Sequence, residues 1–136
     1  MTTFSIPGKP FAKQRPKFSR RIGRAFTPKE TRNFEDMVRA MALQHFPEPL
    51  TGAVEIAVLA IFEPPPSWSK KKRAGHMHQL HTQRPDFDNL QKAVCDGLNR
   101  VAFADDSQIA KASCEKRWGE RAQTIVSVAQ ARSAHA

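Results

Sequence analysis

Ala53-Val54-Glu55-Ile56-Ala57-Val58-Leu59-Ala60-Ile61-Phe62 (residues 53–62) is apolar at every position but Glu55. The run is short, β-branched in part, and stopped by Pro64-Pro65-Pro66. A segment of that kind reads as a central strand buried on both faces, and the rest of the chain can be arranged around it. Upstream, Thr27-Pro28-Lys29-Glu30 is a helix start: Thr27 to cap, Pro28 at the first helical position, Glu30 to complete a capping box. Phe34, Met37, Val38 and Met41 then follow at helical spacing, and Pro47 and Pro49 close the segment. Downstream, a second helix fits from Phe87 to about Val101, with Phe87, Leu90, Val94, Leu98 and Val101 as its apolar stripe. Asp88, Lys92 and Asn99 occupy the other side. Thr3–Ile6 reads as a short strand broken by Pro7-Gly8-Lys9-Pro10. After the turn Phe103-Ala104-Asp105-Asp106, Ile109–Trp118 alternates, with Ala110, Ala112 and Cys114 opposite Lys111, Ser113 and Glu115. Gly119-Glu120 turns the chain into Thr124–Val128, so the last two strands are expected to form a hairpin. The sum is a single α+β domain over residues 1–136, a mixed sheet of about four strands with two main helices. A basic arm spans about 7–26, with a short hairpin near Gly23. A basic loop spans about 67–83, and a frayed tail about 129–136.

At 136 residues the chain suits one modest core. Its 40% hydrophobic and 26% charged residues are those of a water-soluble globular protein. No apolar run approaches membrane-spanning length. The start, Met1-Thr2-Thr3-Phe4-Ser5-Ile6-Pro7, lacks the charged-then-apolar pattern of a signal peptide, so a cytoplasmic location is expected. Two cysteines, Cys95 and Cys114, are too few for a disulfide scaffold and are expected to be reduced and buried.

Lys and Arg number 22 against 13 acids, a net charge of +9 and a pI near 10.2. Such a balance favours a polyanionic partner. The distribution sharpens this. Between Ser5 and Pro28 lie Lys9, Lys13, Arg15, Lys17, Arg20, Arg21 and Arg24 without one acid, and Lys70-Lys71-Lys72-Arg73 forms a second block. Ordinary solvated faces mix both signs. Lys9, Lys13, Arg15, Lys17, Arg20, Arg24, Lys70, Lys71, Lys72, Arg73 and Arg84 are therefore expected to contact phosphates, and the second block is expected to order only on DNA.

Against this background, acids are concentrated. Arg84-Pro85-Asp86-Phe87-Asp88-Asn89-Leu90-Gln91-Lys92 opens the second helix, and Asp105-Asp106 follows its far end, so four of the 13 acids flank one helix. Each has a structural use: a cap, a dipole partner, a turn. Together in a basic chain they suit a hard divalent cation, which takes one or two carboxylates, keeps waters, and accepts phosphate as a further ligand. Lys92, one helical turn from Asp88, is placed to stabilise charge on that phosphate.

PDFDNLQK (85–92), CDGLN (95–99) and ADDSQI (104–109) resemble the signature of the RusA family of Holliday-junction resolvases. PGKPFAKQRPKFSR, GRAFTPKETRNFE and PPPSWSKKKR extend the likeness over about Phe4 to Val128. The resemblance implies a homodimeric, Mg²⁺-dependent endodeoxyribonuclease, with Mn²⁺ able to stand in, acting on four-way DNA junctions in recombination and repair. It places the essential acids on Asp86, Asp88 and Asp106, with Asp105 as the alternative ligand, and the essential lysine on Lys92. The cut would leave a 5′-phosphate and a 3′-hydroxyl.

Other features carry less. His76, His78 and His81 lack paired cysteines and are expected to face solvent or DNA rather than zinc. Phe11, Phe18 and Phe26 punctuate the arm, as anchors to the core or as platforms for unpaired bases, the anchor being preferred. A two-fold dimer would offer two sites to a symmetric junction, through the first helix (Phe34, Met37, Met41) or a sheet edge. A non-catalytic DNA-binding protein would explain the charge but not the acids. A nuclease for flaps, forks or RNA would explain both.

Overall fold

The computed structural model describes residues 1–132. Its strands are β1 (Thr2–Pro7), β2 (Lys17–Ser19), β3 (Arg24–Phe26), β4 (Val54–Phe62), β5 (Ile109–Trp118) and β6 (Gln123–Gln130). Its helices are α1 (Lys29–Leu43), α2 (Lys70–His76) and α3 (Phe87–Leu98). The main sheet runs β1-β6-β4-β5, and β2 pairs with β3 in a separate hairpin. β4 lies parallel to β5 and antiparallel to β6, so the sheet is mixed, as expected of an α+β domain.

β4 is central but not buried on both faces. Val54, Ile56, Val58, Ala60 and Phe62 are buried, whereas Glu55, Ala57, Leu59 and Ile61 are only half-covered. The reason is layering: α1 and α3 pack together over one face, and their Val38, Ala42, Val94 and Leu98 join Val54, Ile56 and Val58 in the main core, while Ala60 and Phe62 pack with Leu90 and Trp118 in a second cluster. The helices approach closely at Gly97, where a methyl group would stand 2.6 Å from the Cβ of Val38.

The expected β5–β6 hairpin is replaced by a crossover. Both strands pair with β4, from opposite sides, because the all-apolar strand takes the middle of the sheet. β6 also runs on past the expected boundary to Gln130, and the Ala131 amide donates to the Ala53 carbonyl at 2.8 Å. The start of the expected frayed tail is therefore strand-paired, and residues 133–136 lie outside the described residues.

α1 begins without the expected capping box. Pro28 itself is the N-cap and no side chain caps the helix. Thr31 instead uses its hydroxyl on Gln14 of the arm, at 3.3 Å to the side-chain oxygen. The helix also ends at Leu43, before Pro47. Its buried stripe is Thr31, Phe34, Val38 and Ala42, while Met37 is exposed. Phe34, suggested for a dimer face, is taken up by the chain's own core, stacked on Phe11 at 5.3 Å.

The segment expected as an irregular loop contains α2. Ser69 caps it, its hydroxyl accepting from the Lys72 amide at 3.1 Å. Lys70–Arg73 is thus helical without DNA, contrary to the expectation that it orders on binding. Lys72 sits 4.4 Å above the Trp68 ring, and Arg73 donates to the Pro65 carbonyl at 3.0 Å. α3 stops at Leu98, three residues short of the expected Val101. Its first stripe residue, Phe87, is exposed, whereas Leu90, Val94 and Leu98 are buried as expected.

A candidate nuclease site along helix α3

α3 lies antiparallel to β5. The Gln91 side chain donates to the Ser113 carbonyl at 3.1 Å, and Lys116 donates to the carbonyls of Gln83 and Pro85 at 2.6 and 2.8 Å. Lys116 therefore pins the turn, including the cis Arg84–Pro85 bond, that delivers Asp86 to the helix N-cap. Sequence reading missed this lysine, because its partners are carbonyls distant along the chain.

Asp86, Asp88 and Asp106 are exposed. Asp86 makes no side-chain cap bond, and among the described residues Asp88 accepts only from the neighbouring Asn89 amide, at 2.9 Å. Asp105 is different. It accepts from the Ser107 amide at 3.0 Å in a capping box with Gln108, at the head of a 3-10 turn over Asp106–Gln108. Hydrogen bonds from Ser107 hold its carboxyl below the ordinary aspartate range. Gln108 ties the turn to the Leu50 and Gly52 carbonyls at 3.0 and 2.9 Å. Both carboxylates are exposed, but that of Asp105 is engaged in building the turn, whereas that of Asp106 takes no part in the cap.

Asp88, Lys92 and Asp96 follow at four-residue spacing and share one flank of α3. Asp96 is half-buried and meets Lys13, with Lys92 3.9 Å away. The same spacing rule that linked Asp88 to Lys92 would have found Asp96. Asp106 stands near the third turn: burial first, then Asp96 and Asp106, push the Cys95 thiol up to about 11. Cys95 is therefore a neutral thiol at physiological pH, and Cys114 is also raised by burial. Both cysteines are free and half-buried rather than fully buried.

The structure does not gather the acids into one cluster. Among the described residues no three His, Cys, Asp or Glu side chains are close enough to hold a metal. From Asp88 to Cys95 is about 10 Å along a helix axis, at 1.5 Å per residue. The donor set still fits a hard cation in kind: exposed carboxylate oxygens, little engaged by protein, on a helix flank open to solvent.

The basic arm is strapped across this flank. The Lys13 amide donates to the Asn89 carbonyl at 2.9 Å. The Lys13 ammonium bridges Glu35, at 3.2 Å, and Asp96. Burial would lower its pKa, but the bonds and attraction from both acids outweigh this and raise it. Lys13, expected at phosphate, is engaged inside the fold. Lys9 borders hollows shared with Arg84 and Pro85, with Arg73, and with Glu63 and Arg121. A further hollow joins Arg84 and Pro85 to Asp86 and Asn89. Cations thus lie directly beside the first acid.

Of the three histidines His78 meets the expectation of exposure, and His76 and His81 depart from it. His78 is exposed, and His76 tilts against Trp68. His81 is 6% exposed, stacked at 4.1 Å on Phe62 and 4.4 Å from Trp118, so it is a packing residue and not DNA-facing. Burial, and secondarily Lys116, lower its pKa, so the folded chain holds it neutral. The unfolded chain then binds more protons as pH drops below about 6.5. His81 should add no penalty above that value and should destabilise the fold progressively below it. Thermal melts from pH 7.5 to 5 should show a smaller loss in His81→Phe than in the parent. Equal losses would contradict the assignment.

A basic α+β domain with exposed carboxylates on a cation-bordered helix flank is suited to a polyanionic ligand. The chain belongs to the RusA family, matching the endodeoxyribonuclease RusA family model over residues 7–129. It is also 33% identical over 133 residues to YqaN of Bacillus subtilis (strain 168), a protein described as uncharacterized, covering 92% of this chain and 93% of that one. Among the described residues no helix is long and apolar enough to cross a membrane.

Proposed function

We propose that this protein is a divalent-metal-dependent Holliday-junction resolvase, acting as a homodimer that nicks two symmetric strands of a four-way DNA junction in the cytoplasm. The observation that carries the reading is the exposed set Asp86, Asp88 and Asp106 along α3, bordered by Lys9 and Arg84, in a member of the RusA endodeoxyribonuclease family. Acids on a phosphate-binding surface repel their ligand unless a cation intervenes.

Asp86 and Asp88, at the head of α3, would hold Mg²⁺, or Mn²⁺ in its place, and Asp106, which this structure leaves apart from them, would complete the set only on being drawn in by the ion. When bound, the ion would supply charge neutralisation at the scissile phosphate and an oriented water more acidic than bulk water. Asp105 does not join this set in our reading, because its oxygen caps the turn that presents Asp106. Lys92, 60% exposed on the same flank, donates to a non-bridging phosphate oxygen as charge builds there. Lys9 and Arg84 hold the backbone on either side, and Lys116 fixes the turn carrying Asp86. A second copy related by a two-fold axis supplies the matching site for the opposite strand.

A comparison of substrates tests this. With Mg²⁺ the protein should nick a synthetic four-way junction and leave linear duplex of the same sequence uncut. Preferential cutting of a flap, a fork or RNA would contradict the junction assignment.

A further inference from the structure

The β2–β3 hairpin presents a combination that the catalytic reading does not use. Phe18, Ile22 and Phe26 are 66%, 53% and 42% exposed. Phe11, the other arm aromatic, is anchored on Phe34, so the preferred anchor role holds for Phe11 and fails for Phe18 and Phe26. The pairing sets Phe18 opposite Ala25 and Phe26 opposite Lys17. Cross-strand partners share a face and neighbours alternate, so the two rings project from opposite faces of the ribbon. Neither face is laid down on the protein's core. The tip, Ser19-Arg20-Arg21-Ile22-Gly23-Arg24, places Ile22 between cations, with Gly23 at φ 68° allowing the turn.

The surrounding charge selects the occupant. Arg15, Lys17, Arg20, Arg21 and Arg24 are exposed, and among the described residues none is in a salt bridge. A second copy of so positive a ribbon would be repelled, whereas a polyanion is attracted. A two-stranded ribbon fits a DNA groove, and apolar side chains at such tips can enter between base steps. The root of the arm is fixed beside the site, through the Lys13 bond to Asn89 next to Asp88.

We propose that the β2–β3 hairpin is a branch-point wedge, in which Ile22 enters between base pairs where the junction arms meet and Phe18 stacks on a base exposed there, while Arg20, Arg21 and Arg24 hold the flanking phosphates. This rests on the junction reading above. It gives the protein a means of distinguishing a branch from a duplex, since stacked linear DNA offers no opening at low cost.

The test uses the full chain in EDTA, to prevent cleavage, with 2-aminopurine at the branch point of a four-way junction or at the same position in linear duplex. Adding protein should raise emission from the junction and not from the duplex. Ile22→Ser and Phe18→Ser should abolish the rise and reduce the ratio of junction to duplex affinity by about tenfold. Phe18→Trp should restore both. Both serine changes fall on exposed positions, and a far-UV spectrum matching the parent establishes that they fold. A parent protein that nicks the junction in Mg²⁺ yet leaves 2-aminopurine emission unchanged overturns the wedge and leaves the nuclease reading standing. One that neither binds nor nicks the junction overturns both. A dimer lost in Ile22→Ser, with emission unmoved by the parent, overturns the wedge in favour of a contact between copies.

Discussion

Asp106→Asn and Asp86→Asn are each expected to reduce junction cleavage by at least about a thousandfold, on the order of 4 kcal/mol of transition-state stabilisation, while junction binding in EDTA stays within a few-fold of the parent. The substitution keeps shape and removes the charge a hard cation needs. Asp105→Asn is the informative contrast. Asparagine still offers an oxygen to the Ser107 amide, so the turn over Asp106–Gln108 should persist and most cleavage with it. Equal loss at Asp105 and Asp106 would show that the capping geometry does not separate their roles. Full activity in Asp106→Asn would remove that residue from the site.

The second large effect is on binding. The arm and α2 display exposed cations at Lys9, Arg15, Lys17, Arg20, Arg21, Arg24, Lys70 and Lys71. If six to ten of the chain's cations neutralise phosphates, affinity should fall by roughly 10³–10⁵ between 50 and 200 mM salt, from counterion release. Replacing one such residue, Arg20→Ala for example, should lower the slope of log affinity against log salt by about 1. Lys13→Ala should behave differently. Its ammonium is occupied by Glu35 and Asp96, so its loss should weaken the α1–arm–α3 junction while leaving the slope unchanged. Fluorescence anisotropy over a salt series measures both. A flat salt response would contradict phosphate contact.

What the sequence made legible follows from locality. β4 announced itself because an apolar run bounded by prolines has few alternatives. α3 did so because Leu90, Val94 and Leu98 recur at helical spacing, and the same spacing set Asp88 beside Lys92. The pairing of β5 and β6 was not legible. Their neighbour is β4, many residues away, and alternation within a strand does not specify which strand lies alongside. α2 was hidden because Lys70-Lys71-Lys72-Arg73 has no apolar stripe, and its Ser69 cap and Trp68 packing emerge only in the fold. His81 misled because a polar residue in a basic segment gives no sign that Phe62 and Trp118 will enclose it.

Of the site, the residue types were readable and their arrangement was not. Among the described residues Asp86, Asp88 and Asp106 do not come together as one group of three. The distinction between Asp105 and Asp106 depends on a three-residue turn held by Gln108, Leu50 and Gly52. Lys116, which secures the Asp86 turn, matters through contacts that no local pattern announces, whereas Asp96, which secures the arm, lies at helical spacing from Lys92.

The central claim, metal-dependent cutting by carboxylates on α3, is tested most directly by labelling each of the four strands of an immobile junction in turn and mapping nicks with Mg²⁺ and with EDTA. The account predicts paired nicks at symmetry-related positions, with 5′-phosphate ends that ligase can reseal, and none in EDTA. Nicks that persist in EDTA, or no nicks under either condition, would contradict it.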